Sequence, residues 1–331
     1  MASTIIDVAK LCGYSKATVS RAFASPELVS EKAREEIYAA AKQLDYSPNA
    51  IARAMATKRT ENVTFIINEM QYPAILNPFY SLVLEGVILE VTRRGYSIFV
   101  TTISNMRLPN GGPFFKKHMD GVVFAGEVNK DVIQEFLSKD IPVVVVNNHL
   151  DMEGLFCVTV DHLQGAIDAT EHLYQRGHRK IGLIAGRFSR QVSEARYNGY
   201  LSVLQSHGIP IDQRYIVDIE PTIRDAQAAV EEILQQDDPP TALFCTNDTI
   251  AAGALKAIRR QGLRVPEDVA VVGFDDSYIS QVVEPELTTV RIDAANLGCL
   301  ATQKLFDIMD GAAIEKESIE LPTKLIVRST T

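Results

Sequence analysis

Tryptophan is absent from the 331 residues, so any flat platform for a ligand has to be Phe or Tyr. The four cysteines, Cys12, Cys157, Cys245 and Cys299, stand singly, with no C-x-x-C and no secreted-scaffold spacing. That pattern reads as small buried hydrophobes in a reducing compartment. Nowhere is there a run of eighteen apolar residues, which excludes a membrane-spanning helix. The start of the chain shows no charged leader before an apolar stretch, so a cytoplasmic location is expected. Catalytic signatures are missing as well: there is no G-x-S-x-G, G-x-x-x-x-G-K-[ST], G-x-G-x-x-G or H-E-x-x-H. His162, His172 and His178 are dispersed, at spacings that fit helix ends or surface better than a metal. The expectation is a protein without catalytic residues, metal or cofactor.

Positive charge is scarce overall, with a net charge of −9, but the average conceals a split. Residues 1–60 hold nine basic and six acidic residues, whereas the remainder holds 24 and 36. A basic head on an acidic body suits local attraction to a polyanion, although ordinary surface variation produces such splits too. With 46% apolar residues, the chain has enough material for at least two cores.

The head reads as three short helices. Thr4 followed by Asp7 is a capping-box-like start, Ile6, Val8, Ala9 and Cys12 are available for packing, and Gly13 ends the first helix. Ser15 can cap a second helix with Val19, Ala22 and Phe23 inward. After Pro26, Ser30 can cap a third, with Ala33, Ile37, Ala41 and Leu44 at helical spacing. This is the layout of a helix-turn-helix, in which the second helix offers its first residues to the major groove. The outward positions are Lys16, Ala17, Thr18, Ser20 and Arg21. Arg21 suits bidentate contact with guanine, Lys16 a guanine or phosphate, and Ala17 a thymine methyl. Solvated side chains on an exposed face would look the same.

From residue 62 onward, strand-length apolar runs alternate with helical patterns. The runs include Val63–Ile67, Tyr96–Thr101, Gly121–Ala125, Pro142–Val146, Lys180–Ala185, Thr241–Cys245 and Asp268–Gly273. The helical stretches include 80–94, 163–176, 194–207, 223–236, 248–261 and 294–310. Such alternation indicates parallel sheets covered on both faces, and the chain length suits two of them. Ligands of open parallel sheets sit beyond the carboxyl ends of strands. The polar residues there are Asn147, Asn247, Asp248, Asp275 and Asp276, and Arg196 begins a helix after the strand ending near Gly186. Capping is the alternative role for Asn247 and Asp275, and a salt bridge for Arg196.

The string Thr4-Ile5-Ile6-Asp7-Val8-Ala9, then Gly13-Tyr14-Ser15-Lys16-Ala17-Thr18-Val19-Ser20-Arg21, strongly resembles the head of the LacI/GalR family of transcription regulators. So do Val29-Ser30, Tyr46-Ser47-Pro48-Asn49 and Ala52-Arg53-Ala54-Met55. In the body, Arg176-Gly177-His178-Arg179-Lys180-Ile181-Gly182, Asn247-Asp248, the stretch Val265 to Asp276 and Pro285-Glu286-Leu287-Thr288-Thr289-Val290 resemble family signatures. The resemblance spans nearly the whole chain. Tyr14 departs from it, standing where a smaller aliphatic residue is usual, and Pro109-Asn110-Gly111-Gly112-Pro113 interrupts a region where the family runs a helix.

The resemblance implies an all-α helix-turn-helix head (1–47), a hinge helix and linker (48–60) and a periplasmic-binding-protein-like α/β body of two parallel-sheet subdomains (61–331). Subdomain 1 is expected over about 61–160 and 291–322, and subdomain 2 over about 161–290 and 323–331. The crossings would lie near 160–163, 289–293 and 321–325. Residues 50–57 are too short for a stable isolated helix, so they are expected to order only when paired with a twin on DNA. By resemblance, Met55 is the wedge between base steps. The candidate DNA contacts are Thr4, Ser15, Lys16, Ala17, Thr18, Ser20, Arg21, Asn49, Arg53 and Met55. Arg196, Asn247 and Asp275 match effector-binding positions, Phe79 and Tyr80 match the aromatic edge of the cleft, and Asn147 completes the set. No further heptad repeat follows Leu325-Ile326-Val327, so a dimer is the simplest assembly.

The expected function is a ligand-responsive regulator, most simply a repressor of carbohydrate-utilisation genes. It would bind a palindromic operator as a homodimer under control of a sugar-like effector, and have no membrane partner. A nucleoside or purine effector, or a solute-binding protein, is the alternative.

Overall fold

A computed structural model describes residues 3–24, 26–46, 59–67, 77–104, 119–314 and 318–331. The chain divides into two compact units, one ending near Asn62 and taking in Met119 and Asp120, the other comprising the rest.

In the first unit, α1 (Ile5–Cys12), α2 (Lys16–Ala24) and α3 (Glu31–Gln43) enclose a core of Val8, Val19, Ala22, Ile37, Ala40 and Ala41. The Asp7 carboxylate accepts from the Thr4 N–H at 2.9 Å and from its hydroxyl at 2.7 Å, which stops the chain from fraying before the first turn. Gly13, at φ 74°, takes the left-handed conformation that ends α1. Ile6 is 49% exposed, contrary to the packing role expected of it. Two residues advance a helix by about 200°, so with Val8 turned inward Ile6 has to face out.

The second unit holds two six-stranded sheets. The first has the order β11-β5-β4-β3-β1-β2, built from Asn62–Ile67 (β1), Ser97–Thr102 (β2), Gly121–Ala125 (β3), Val143–Val146 (β4), Phe156–Val160 (β5) and Ser318–Leu321 (β11). The second has the order β12-β10-β9-β8-β6-β7, from Ile181–Gly186 (β6), Ile216–Ile219 (β7), Ala242–Cys245 (β8), Ala270–Asp275 (β9), Thr288–Arg291 (β10) and Lys324–Ile326 (β12). The registered pairs are parallel except β10 with β12. Fully buried strands such as Val143–Val146 show why continuous apolar runs, rather than alternation, marked them in the sequence.

The described helices of this unit are α4 (Pro78–Arg93), α5 (Lys130–Leu137), α6 (His162–Gln175), α7 (Arg190–Ser206), α8 (Ile223–Leu234), α9 (Asp248–Arg260), α10 (Ile279–Val282) and α11 (Ala294–Met309). Helices α4 and α11 meet backbone to backbone. A Cβ on Gly86 would strike the Ala295 carbonyl, and one on Gly298 the Val83 carbonyl, so both positions must be glycine. The chain passes between the sheets after β5, between β10 and α11, and between β11 and β12. Helix α7 begins at Arg190, capped by the Ser189 hydroxyl, four residues before the expected start. Arg196 is therefore in its second turn, not at its beginning.

Candidate functional site

At the tip of the head, the Ser15 hydroxyl accepts the Thr18 N–H at 3.1 Å and lies 2.8 Å from the Thr18 hydroxyl. Ser15 thus caps α2, and Thr18 is held against it. Lys16, Ala17 and Arg21 are exposed, while Thr18 and Ser20 are half-buried. The arrangement leaves two long cations on a face that the Val19 and Ala22 anchors hold outward. The unexpected Tyr14 donates its hydroxyl to Glu36 at 2.6 Å, tying the inter-helix turn to α3. Asn49, Arg53 and Met55 lie outside the described residues, as does the 109–113 interruption.

In the body, the carboxyl ends of the strands converge on a small space lined by Asn77, Phe79, Tyr80 and Asn147 from the first-sheet side. Phe188, Ser189, Val192, Arg196 and Asp275 line it from the second. Its volume is about 20 Å³, room for roughly one water. Asn77 caps α4 by accepting the Phe79 N–H at 3.0 Å, which sets Phe79 and Tyr80 at the rim. Their rings pack edge to face with centroids 5.2 Å apart, and both are buried.

Arg196 is 3% exposed. Its guanidinium lies over the Phe274 ring at 3.8 Å, donates to Asp275 Oδ1 at 3.3 Å, and donates through Nη1 to the Thr246 carbonyl. Its Nε has no partner. A buried cation with one paired carboxylate and a spare N–H can donate to a polar ligand group. Burial pushes the Asp275 carboxyl up to about 6 against the pull of Arg196. Asp275 sits at φ 106° and Asn147 at φ 58°, both in the strained left-handed half of the map, as functional residues at strand ends often do.

His162 joins this cluster. Its Nδ1 lies 3.3 Å from Arg196 Nη2, a pure donor, so Nδ1 accepts; the proton is then on Nε2, which donates to Asn147 Oδ1 at 2.7 Å. Burial and the Arg196 charge hold its pKa well below the usual histidine value, so the ring is neutral. The sequence reading placed His162 at a helix end or the surface. It does begin α6, but it is 93% buried (7% exposed) and links the two halves through Asn147. The one hint was its position directly after Asp161, at a crossing of the chain.

Asn247 has a different occupation. Its Oδ1 accepts the Ile250 N–H at 2.8 Å, capping α9, and it is not among the described residues lining the small cavity. Asp248 beside it accepts from the Ser277 N–H and hydroxyl at 2.7 and 2.9 Å and from Thr289 at 2.6 Å. Burial and then the Asp275 charge raise its pKa to about 8. Asp276 is taken up by Arg291 and Arg328, each at 2.6 Å, which fastens β10 and the chain end to the turn after β9. Among the described residues no cluster of His, Cys, Asp and Glu is arranged to hold a metal, and no helix is long and apolar enough to cross a membrane.

A helix-turn-helix head joined to a two-sheet body with a polar crevice defines a DNA-binding regulator with a small-molecule sensor. Residues 4–49 match the description "Bacterial regulatory proteins, lacI family", and residues 170–331 match "Periplasmic binding protein-like domain". The chain is 31% identical over 329 residues to the probable HTH-type transcriptional repressor ExuR of Bacillus subtilis, covering 99% of this chain and 98% of that one. It is 32% identical over 334 residues to the repressor CytR of Escherichia coli, covering 100% and 96%. Among solved structures, a transcriptional regulator CelR–cellobiose complex superimposes with a TM-score of 0.74 at 30% identity, covering 99% of this chain and 100% of that one. The Lac repressor bound to ONPG does so with a TM-score of 0.85 at 25% identity, covering all of both chains. The chain belongs to the lacI family of bacterial regulatory proteins, the ligand-responsive DNA-binding repressors.

Proposed function

We propose that the protein is a dimeric repressor of carbohydrate-utilisation genes whose grip on a palindromic operator is set by a sugar or sugar derivative bound between the halves of its body. The observation that carries this reading is the buried Arg196 bonded at once to Asp275 and His162, with His162 in turn bonded to Asn147 across the crevice. Such a group spans neighbouring hydroxyls, with Arg196 donating and Asp275 accepting. A ligand that replaces these bonds with its own binds the parted and closed arrangements with different strength, which is the requirement for allosteric control. The sugar assignment is favoured over a nucleoside by the cellobiose complex of CelR. Phe79 and Tyr80 supply the aromatic rim, and Asn247 acts through the shape of the turn it caps.

The DNA side rests on Lys16, Ala17 and Arg21 facing outward, with Thr4, Ser15, Thr18 and Ser20 at the backbone and Asn49, Arg53 and Met55 in the hinge. A second copy has an apolar face to meet: Ile88 and Leu89 on α4 and Phe99 and Val100 on the edge strand β2 are 41 to 59% exposed. The Lac repressor is a dimer on its operator in a similar fold. A solute-binding role has no use for the head.

The test is a thermal-shift screen of the full-length protein against sugars and nucleosides, followed by gel shifts with an operator fragment. A sugar that stabilises the protein is expected to change operator affinity. Arg196→Ala is expected to weaken that sugar by about 10- to 100-fold, the worth of one or two charge-assisted hydrogen bonds, while leaving unliganded DNA binding in place. A tight ligand without effect on DNA binding counts against the scheme.

A further inference from the structure

Between the head and β1, the described chain resumes at Arg59, inside the expected hinge and linker, and is tied down at once. The Asp120 carboxylate takes three donors there. Its Oδ1 accepts from the Thr60 N–H at 2.7 Å and from the Thr60 hydroxyl at 2.9 Å, and its Oδ2 accepts from the Glu61 N–H at 2.9 Å. In return the Asp120 N–H donates to the Asn62 carbonyl at 2.8 Å, and the Thr60 hydroxyl accepts the Asn62 N–H at 3.3 Å. Hydrogen bonds to a carboxylate are stronger than those between neutral groups. Glu61 sits at φ 55°, a left-handed conformation that a residue with a side chain keeps only where its surroundings hold it.

A tether positions something only if its fixed end does not move. Gly121, the next residue, opens β3, which lies between β1 and β4 and is buried throughout. Its register on β1 starts with Gly121 opposite Val63, and on β4 with Val122 opposite Val143. A Cβ on Gly121 would come within 3.0 Å of Leu305 Cδ1 and Met309 Sδ, so β3 begins hard against α11. Asp120 therefore stands at the start of an interior, fully packed strand.

Without these bonds the three residues from Thr60 to Asn62 would be free to extend by ~10 Å. That is about three times the ~3.4 Å rise of a base pair. Each base pair also turns the groove by about 35°. Such slack in each of two copies would erase a preference for the distance between half-sites. We infer that Asp120 is a positioning residue for operator recognition: by holding Thr60 and Glu61 it fixes the point where the hinge leaves the first sheet, and so sets the half-site spacing that a pair of heads accepts. This rests on the DNA-binding dimer proposed above. It adds a residue at the amino ends of the strands, opposite to the carboxyl ends that form the crevice.

The experiment selects a palindromic duplex from random sequence with the full-length protein. Gel shifts then measure affinity for that duplex, for versions with one base pair added to or removed from its centre, and for a single half-site. Asp120→Ala, Asp120→Asn and Thr60→Val are compared with the wild type, with melting curves for each. The wild type is expected to lose about tenfold or more on either change of spacing. Asp120→Ala should bind the selected duplex about three- to tenfold more weakly and hold all three spacings within about threefold, with half-site affinity unchanged. Asp120→Asn, which keeps one acceptor but turns an NH2 group towards a backbone donor, and Thr60→Val, which removes the hydroxyl, should fall between. General destabilisation would weaken every duplex by the same factor and leave the ratio between spacings as it was. That result, or a wild type indifferent to spacing, overturns the inference while the repressor reading stands. If Asp120→Ala also loses the half-site, the spacing ratios of Asp120→Asn and Thr60→Val decide. Failure of the wild type to select any duplex overturns both.

Discussion

At the scale of single residues, the crevice is organised by what each polar atom has left to bond. Arg196 spends one nitrogen on Asp275 and His162 and another on a backbone carbonyl. His162 is fixed in its Nε2–H form because Arg196 can only donate. This has a consequence for pH. The folded-state pKa of His162 lies well below its ordinary 6.5, so the folded protein binds fewer protons than the unfolded chain below that value. Its contribution to stability is complete above about pH 6.5 and is lost as pH falls through it. Asp248 works in the opposite sense: its pKa is raised to about 8, so its contribution is greatest below the ordinary carboxylate value of 3.8 and declines as pH rises towards 8. His162→Asn is expected to flatten the loss of stability between pH 6.5 and 5 in urea melts, and to leave the Asp248-dependent decline at higher pH. An unchanged acid limb would assign that limb to other groups, such as His172 and His178, whose pKa values burial also lowers.

At the scale of elements, α2 is a nine-residue helix that owes its position to its neighbours more than to its own propensity. Val19 and Ala22 bury one side against α1 and α3, Ser15 closes the N-terminus, and Tyr38 of α3 donates to the Ala22 carbonyl at 2.9 Å. Held in this way, its exposed face carries Lys16 and Arg21. Arg21→Ala is expected to cost about 1–3 kcal/mol on the preferred operator and to relax selectivity at one base pair. Lys16→Ala, if that residue meets a phosphate, should weaken all DNA alike and reduce the salt dependence by about one counterion. Gel shifts across single-base operator variants and salt concentrations separate the two. The helices of the body follow another rule, with glycines where two of them touch. Gly86 and Gly298 let α4 and α11 approach until each backbone fills the space where the other's side chain would be.

At the scale of the whole molecule, the basic head and the acidic body have separate tasks, and a short alanine-rich stretch joins them. The proposed dimer supplies two heads for one duplex. Met55→Ala is expected to reduce operator affinity by about tenfold or more and to lessen DNA bending, because unstacking a base step needs an apolar wedge. Permuted-site gel shifts read both quantities. Unchanged affinity and bend would remove the wedge from the mechanism.

The sequence by itself determined the class of the fold and the kind of molecule. Apolar runs alternating with helical periods indicate covered parallel sheets, the chain length suits two of them, and capping residues such as Thr4, Ser15 and Ser30 mark helix starts through local bonds that need no tertiary information. It also supplied Arg196, Asp275, Asn147, Phe79 and Tyr80, which the fold brings around one space. Only the tertiary structure decided how those residues are used. His162 joins the cluster because a chain crossing delivers it beneath Asn147 of the other half, 15 residues away in sequence. Asn247 turns to its own helix, where its Oδ1 accepts the Ile250 N–H, and Ile6 faces solvent because Val8 claims the core side of α1. Local periodicity and capping act over a few residues and can be read along the chain, whereas which polar atoms find partners depends on segments that meet only once both sheets have formed.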